Sequence, residues 1–126
     1  MSDVRIVVVD DNPDAAEVIA ELLRMNGYVV ETVYGGIAAL ALVERFQPHV
    51  VVLDCMMPDM GGFELATELR KRHGDDIVLI AVTGLDPQSF GVSQTFAIVD
   101  HYLHKPIEFD KLTKVLPNLD DSPPAA

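Results

Sequence analysis

The chain has 126 residues, enough for one domain with a sizeable core, and 49% of them are hydrophobic. Its formal net charge of −11 argues against direct binding to nucleic acid or to an anionic membrane, and favours cations or basic protein surfaces. The single cysteine, Cys55, cannot form an internal disulfide, and no apolar run approaches the roughly 18 residues of a membrane helix. We therefore expect a cytoplasmic protein.

Five apolar segments are typical of buried strands. Continuous apolar runs of this length suit the strands of a parallel sheet, which are buried on both faces. The second segment also contains Glu31 and Thr32, which favours a position at the edge of the sheet. The predicted strands cover residues 5–9, 28–33, 50–53, 77–82 and 101–103.

Helical patterns lie between and after these strands. The first begins at an Asn12 N-cap followed by Pro13, shows apolar residues at helical spacing, and ends at Gly27. The other predicted helices cover residues 36–46, 63–73 and 109–116, and residues 86–97 give a weaker, short or mobile helix. Residues 118–126 are predicted to be a disordered tail after a domain spanning 1–117.

Strand and helix alternate along the whole chain. This pattern predicts an α/β fold, a doubly wound five-stranded parallel sheet with helices on both faces. The strand order 2-1-3-4-5 is the natural solution because it places the more polar second strand at an edge. In such sheets, ligands bind at the carboxyl ends of the strands.

Polar side chains end four of the predicted strands: Asp10 and Asp11, Asp54, Thr83 and Lys105. Each alone has an ordinary structural explanation, but the predicted strand order brings all of them to one edge. Three carboxylates there repel one another, and a hard divalent cation such as Mg²⁺ would relieve that repulsion. A carboxylate nucleophile, a metal, a lysine and a hydroxyl together favour phosphoryl transfer.

The sequence that carries these residues resembles a receiver domain of the two-component response regulators. The resemblance covers nearly the whole chain, from about Val4 to Leu116. The matching stretches are VVDDNP at 8–13, LDCMMPDMGGFE at 53–64, AVTG at 81–84 and YLHKP at 102–106. It implies the flavodoxin-like receiver fold and a signalling protein that assists its own phosphorylation and dephosphorylation, but is not an enzyme.

The resemblance also implies definite roles for individual residues. Asp54 would take a phosphoryl group from a phosphohistidine on a sensor histidine kinase or a histidine phosphotransfer protein. Asp11, Asp54 and the backbone carbonyl of Met56 would hold Mg²⁺, with Asp10 assisting partly through water.

The remaining site residues would bind the phosphoryl group and report its presence. Lys105 would pair with the phosphoryl oxygens, and Thr83 would move toward them on activation. Tyr102 would turn inward with Thr83, which makes a two-state switch that changes the surface offered to a downstream partner protein.

Some positions depart from the family pattern. Ile98 stands where a small residue is usual, and the helix at 86–97 is weakly indicated. Both departures concern the face through which the family usually contacts its targets, made of the fourth helix, the fifth strand and the fifth helix, and they leave the use of that face here in doubt. Met56 and Leu85 occupy positions that tune phosphoryl lifetime in the family, and neither side chain can orient a hydrolytic water. The sequence therefore predicts slow hydrolysis of the phosphoprotein.

The alternative that we keep is a degenerate receiver, which would act as a phosphorylation-independent interaction module, although the acidic residues are intact. A flavodoxin-like cofactor site would need a loop rich in Ser, Thr and Gly after the first strand, whereas DDNPD stands at 10–14. An aspartyl phosphatase would have its nucleophile at the first strand and a second aspartate two residues later, which the adjacent pair Asp10 and Asp11 does not fit. We expect a stand-alone regulator, and the sequence leaves open its kinase, its target and whether it forms a homodimer.

Overall fold

The computed structural model describes residues 4–54, 60–83, 98–105 and 108–116. Strands and helices alternate through these residues. The strands are β1 (Arg5–Val9), β2 (Val29–Val33), β3 (Val50–Asp54), β4 (Val78–Thr83) and β5 (His101–His104), and the helices are α1 (Pro13–Met25), α2 (Gly36–Phe46), α3 (Gly62–His73) and α4 (Phe109–Val115).

The strands form one five-stranded sheet in the order β2-β1-β3-β4-β5, and all four neighbouring pairs are parallel. The predicted strand order and the edge position of the second strand are therefore confirmed. Strand β3 lies at the centre and is buried along its whole length, as its unbroken apolar run indicates. Every strand consequently points its carboxyl end toward the same edge of the sheet.

Helices cover both faces of the sheet, as predicted. On one face, Ala16, Ala20 and Leu23 of α1 and Leu112 of α4 pack in a cluster with alternate strand residues. On the other, residues of α2 and α3 pack against the intervening strand residues. Alternate residues of each buried strand thus face different helix layers, which explains why both faces of these strands carry apolar side chains.

The ends of α1 follow the predicted signals. The side chain of Asn12 accepts hydrogen bonds from the backbone N–H groups of Asp14 and Ala15, at 3.0 and 3.3 Å. Pro13 is the first helical residue, where its missing N–H costs nothing. After the helix, Gly27 has φ 95°, a conformation that glycine adopts without strain.

Differences from the predicted strands are small but concern the edge that carries polar residues. Asp54 and Thr83 are the last residues of β3 and β4 instead of the first residues beyond them, because Asp54 pairs with Val82 of β4 and Thr83 pairs with His104 of β5. The predicted helix at 86–97, the tail at 118–126 and Cys55 lie outside the described residues. Within the described ranges, no helix has the length and apolar character needed to cross a membrane.

Candidate functional site

Two neighbouring central strands position the acidic residues. Asp10 follows β1, and its N–H donates to the carbonyl of Val33, which fixes the backbone at this point. Asp54 ends β3, beside β1. Asp10 and Asp54 are only 4% and 6% exposed, whereas Asp11 is exposed to solvent. The parallel sheet therefore places two buried carboxylates and one exposed carboxylate at a common edge.

The three carboxylates form one cluster, as the sequence predicts. Asp10, Asp11 and Asp54 each offer an oxygen, and these oxygens all lie within 4.8 Å of one another. Two oxygens bound to one Mg²⁺ at about 2.1 Å are at most about 4.2 Å apart. The donor set is all oxygen and carries formal negative charge, so its chemistry and spacing fit a hard divalent cation with only a small closing movement.

Lys105 brings a positive charge into this cluster from the end of β5. Its Nζ donates to Oδ2 of Asp54 at 3.2 Å and lies 3.7 Å from Oδ2 of Asp10. Partial burial alone would lower the pKa of Lys105, but the two carboxylates outweigh that effect and raise the pKa above its ordinary value. Lys105 is therefore held in its charged form beside the acids.

Thr83 and Tyr102 occupy neighbouring strands beside the cluster. Thr83 ends β4 and is fully buried, and its carbonyl accepts a hydrogen bond from the N–H of Lys105 at 2.7 Å. This bond joins the ends of β4 and β5, a connection that the sequence does not reveal. Tyr102 is half-buried in β5 and pairs with Ala81 of β4.

One further contact within the cluster was also not anticipated. Oδ1 of Asp10 accepts the backbone N–H of Asn12 at 3.0 Å, so one oxygen of this carboxylate is fixed by the turn that opens α1. The aspartate two residues before the Asn12 N-cap is the signal that would have indicated it. Of the predicted site residues, Met56 lies outside the described residues, as does Leu85.

Comparison with known proteins identifies the family. Residues 6–117 match the family described as Response regulator receiver domain. The response regulator MprA of Mycobacterium sp. (strain KMS) is 40% identical over 109 residues, which are 86% of this chain and 47% of that protein. The chain thus spans about half the length of the curated relatives it matches.

Solved structures show the same fold. The CheY-like response regulator receiver domain protein of Methanospirillum hungatei JF-1 superposes with a TM-score of 0.82 at 29% identity, covering 90% of each chain. The receiver domain of a sensor histidine kinase from Pseudomonas aeruginosa PAO1 gives a TM-score of 0.80 at 28% identity, covering 90% of this chain and 94% of that one. That structure holds a magnesium ion in its active site cleft.

Sequence, fold and acidic cluster therefore agree with the comparisons. The chain belongs to the response regulator receiver domain family, a family of phosphoacceptor signalling modules rather than of enzymes that turn over a substrate.

Proposed function

We propose that the chain is a phosphoacceptor response regulator in which Asp54 takes a phosphoryl group from a phosphohistidine. The donor would be a sensor histidine kinase or a histidine phosphotransfer protein. The observation that carries this proposal is the placement of Asp54, a buried carboxylate within reach of the Lys105 ammonium and two further carboxylates.

The transfer forms one bond and breaks one. A carboxylate oxygen of Asp54 attacks phosphorus, an O–P bond forms, and the N–P bond of the donor histidine breaks. The electron pair leaves with the imidazole nitrogen, which then takes a proton. Catalysis of this step depends on positioning and on neutralising charge on the phosphoryl oxygens.

Lys105 and Mg²⁺ would supply the positive charge that neutralises the phosphoryl oxygens. Lys105 lies close enough to Asp54 that its ammonium would contact an oxygen of a phosphoryl group attached there. Asp11, Asp54 and the backbone carbonyl of Met56 would hold Mg²⁺, with Asp10 acting partly through water. When bound, Mg²⁺ supplies charge neutralisation for the carboxylates and for the incoming phosphoryl oxygens.

The response to phosphorylation would pass through β4 and β5. The buried hydroxyl of Thr83 would move to bond the phosphoryl group, and Tyr102 on the paired strand would turn inward. Each change replaces one set of contacts by another, so the phosphoryl group would shift an equilibrium between two conformations that differ in their surface. A partner protein that binds one surface better would then be controlled by phosphorylation. We assign this receiver unit to residues 1–117.

The test is intact-mass spectrometry after incubation with Mg²⁺ and acetyl phosphate. Wild-type protein is expected to gain one phosphoryl group, and Asp54→Ala to gain none. Addition of excess EDTA should suppress the adduct in the wild type, because the carboxylates then repel both one another and the donor. Absence of an adduct on folded wild-type protein, together with failure of a kinase to transfer, would favour an interaction module that never accepts phosphate.

A further inference from the structure

Arg70, in the last turn of α3, connects three separate segments of the chain. Its Nε donates to the carbonyl of Ile98 at 2.9 Å, and its Nη1 donates to the carbonyls of Gly74 and Ile77 at 2.8 and 3.0 Å. Its Nη2 donates to Oδ2 of Asp100 at 2.6 Å. The guanidinium thus joins the end of α3 to the entry of β4 and to the entry of β5, although Asp100 is 30 residues away in sequence.

Asp100 continues the contact into the sheet. The N–H of Leu79 donates to its Oδ2 at 2.8 Å, while its own N–H donates to the carbonyl of Leu79 at 2.9 Å. Both backbone polar groups of Leu79 are therefore bonded to Asp100, one residue before the first β4–β5 pair, Ile80 with His101. Asp100 thus extends the hydrogen bonding between β4 and β5 by one residue.

The charge on Asp100 favours this arrangement. Partial burial alone would raise the pKa of Asp100, but the hydrogen bond from Leu79, followed by the hydrogen bond and charge of Arg70, lowers its pKa below the ordinary value. The carboxylate remains ionised near neutral pH, so the short bond from Arg70 is a charge-assisted one.

Burial specifies the register of strand β5 only weakly. This strand contains four residues, lies at the edge of the sheet, and has three half-buried residues and one exposed residue. Register is weakly specified where burial is incomplete, and a slip of one residue turns every side chain to the opposite face. At the far end of this strand is Lys105, whose side chain must reach Asp54.

We propose that Arg70 is a positioning residue that, through Asp100, fixes β5 so that Lys105 meets Asp54. These contacts link the two residues by a second route: α3 follows Asp54 in the chain and carries Arg70, Arg70 bonds Asp100, and Asp100 and Lys105 flank the two ends of β5. The inference rests on the proposed acceptance of phosphate by Asp54. It adds a residue far from the acidic cluster that sets the rate of that reaction.

The test compares Arg70→Gln and Asp100→Asn with wild type and with Arg72→Gln. Arg72 is the matched control, because it also lies in the last turn of α3 but pairs with Glu68 and Glu44, on α3 and α2, at 3.3 and 3.7 Å. Arg70→Lys keeps the charge and loses the planar fork, so it is a milder variant if Arg70→Gln does not fold.

Three measurements separate positioning from a general loss of stability. The phosphorylation rate with acetyl phosphate should fall about tenfold or more in Arg70→Gln and Asp100→Asn, because displacement of a positioned group by about 1 Å can be that costly. Amide hydrogen exchange at Lys105, whose N–H bonds Thr83, should accelerate about tenfold while amides of β1 do not change. Mg²⁺ affinity should not weaken, since Asp54 ends β3 and Asp10 and Asp11 directly follow β1, so none of the three carboxylates belongs to β5. Arg72→Gln should match wild type in all three, and Arg70→Lys should lie between.

Two outcomes would overturn the inference. One is a phosphorylation rate in Arg70→Gln within about twofold of wild type. The other is an equal acceleration of exchange throughout the sheet with weakened Mg²⁺ binding, which would mean a merely structural role. If wild type itself takes no phosphoryl group, the proposed function fails instead, and the exchange data then still show whether Arg70 holds β5.

Discussion

Nζ of Lys105 lies 3.2 Å from Oδ2 of Asp54, so the residue proposed to accept a phosphoryl group is already paired with the charge that would stabilise it. The two residues belong to β3 and to the turn after β5, with β4 between the strands. The pairing therefore depends on the register of two strand ladders, and it makes Lys105 the most informative residue to change.

We expect Lys105→Gln to slow phosphorylation by acetyl phosphate about 10²-fold, because it removes one preorganised donor to the phosphoryl oxygens. Mg²⁺ binding should persist or tighten, since a competing positive charge leaves the acidic cluster. Adduct formation followed by mass spectrometry and Mg²⁺ titration measure the two effects. Lys111→Gln, which changes an exposed lysine of α4 that pairs with Glu108 at the start of the same helix, is the control. An unchanged rate in Lys105→Gln would contradict the assigned role.

Asp11→Asn should raise stability without Mg²⁺ and reduce the stability gained on adding Mg²⁺. Without the metal, removing one of three mutually repelling charges should raise the melting temperature by about 3–6 °C, the shift that about 1 kcal/mol produces in a domain of this size. With Mg²⁺, wild type should gain stability through binding, and Asp11→Asn should gain less.

Differential scanning calorimetry with and without Mg²⁺ measures both effects. Glu31→Gln is the matched control, because it removes the same charge from the exposed face of the edge strand β2. If Asp11→Asn and Glu31→Gln behave alike, the carboxylate cluster does not bind the metal as proposed.

Gly36→Ala should destabilise the fold. A Cβ at Gly36 would lie 2.6 Å from Cβ of Met60, so α2 and the segment leading into α3 must separate. We expect a loss of about 1–3 kcal/mol in the free energy of unfolding, as for other overpacked sites. Helix propensity alone predicts the opposite sign, because alanine is favoured over glycine within a helix by about 1 kcal/mol.

Urea unfolding measures this change, and Gly61→Ala provides the comparison. Gly61 has φ −67°, and among the described residues a Cβ there would meet Oε1 of Glu64 at 3.7 Å, an ordinary contact. A stability for Gly36→Ala equal to that of Gly61→Ala would mean that the close approach of Gly36 and Met60 is relieved without cost.

His49 should make stability depend on pH near neutrality. Partial desolvation of the otherwise exposed side chain, followed by the charge of Arg5, lowers the pKa of His49, and its Nδ1 accepts the N–H of Arg5 at 2.9 Å. The unfolded chain therefore binds this proton more readily, so the contribution of His49 to stability is present above about pH 6.5 and is lost as the pH falls through the lowered pKa.

His49→Asn retains an acceptor for Arg5 but does not titrate. Urea midpoints between pH 5 and 8 should therefore fall less steeply toward acid in His49→Asn than in wild type, and the other titrating groups cancel in the difference. Parallel curves for the two proteins would show that His49 does not carry this dependence.

Much of the fold and most of the acidic cluster could be predicted because local patterns determine them. Unbroken apolar runs identify the central strands, and Asp10, Asp11 and Asp54 follow directly where two of those runs end. Since parallel strands share one carboxyl edge, the strand order alone brings these residues together.

The connection between Arg70 and Asp100 could not be predicted in the same way. In the sequence, Arg70 is one of three consecutive basic residues at the end of a helix, where all three suit the helix dipole equally well. Only the packed structure selects Arg70 over its neighbours, through acceptors that come from three chain segments. The slow hydrolysis expected from Met56 and Leu85 stays a prediction, because both residues lie outside the described ranges.

The most direct test of phosphoryl acceptance by Asp54 uses phosphoramidate, a small donor with the same P–N bond as phosphohistidine. Wild type and Asp54→Asn would be incubated with the donor and Mg²⁺, and the intact mass followed over time. The account predicts one phosphoryl group per wild-type chain and none on Asp54→Asn, which preserves the size of the side chain and removes its charge. An equal adduct on both proteins would place the acceptor elsewhere and contradict the assignment of Asp54.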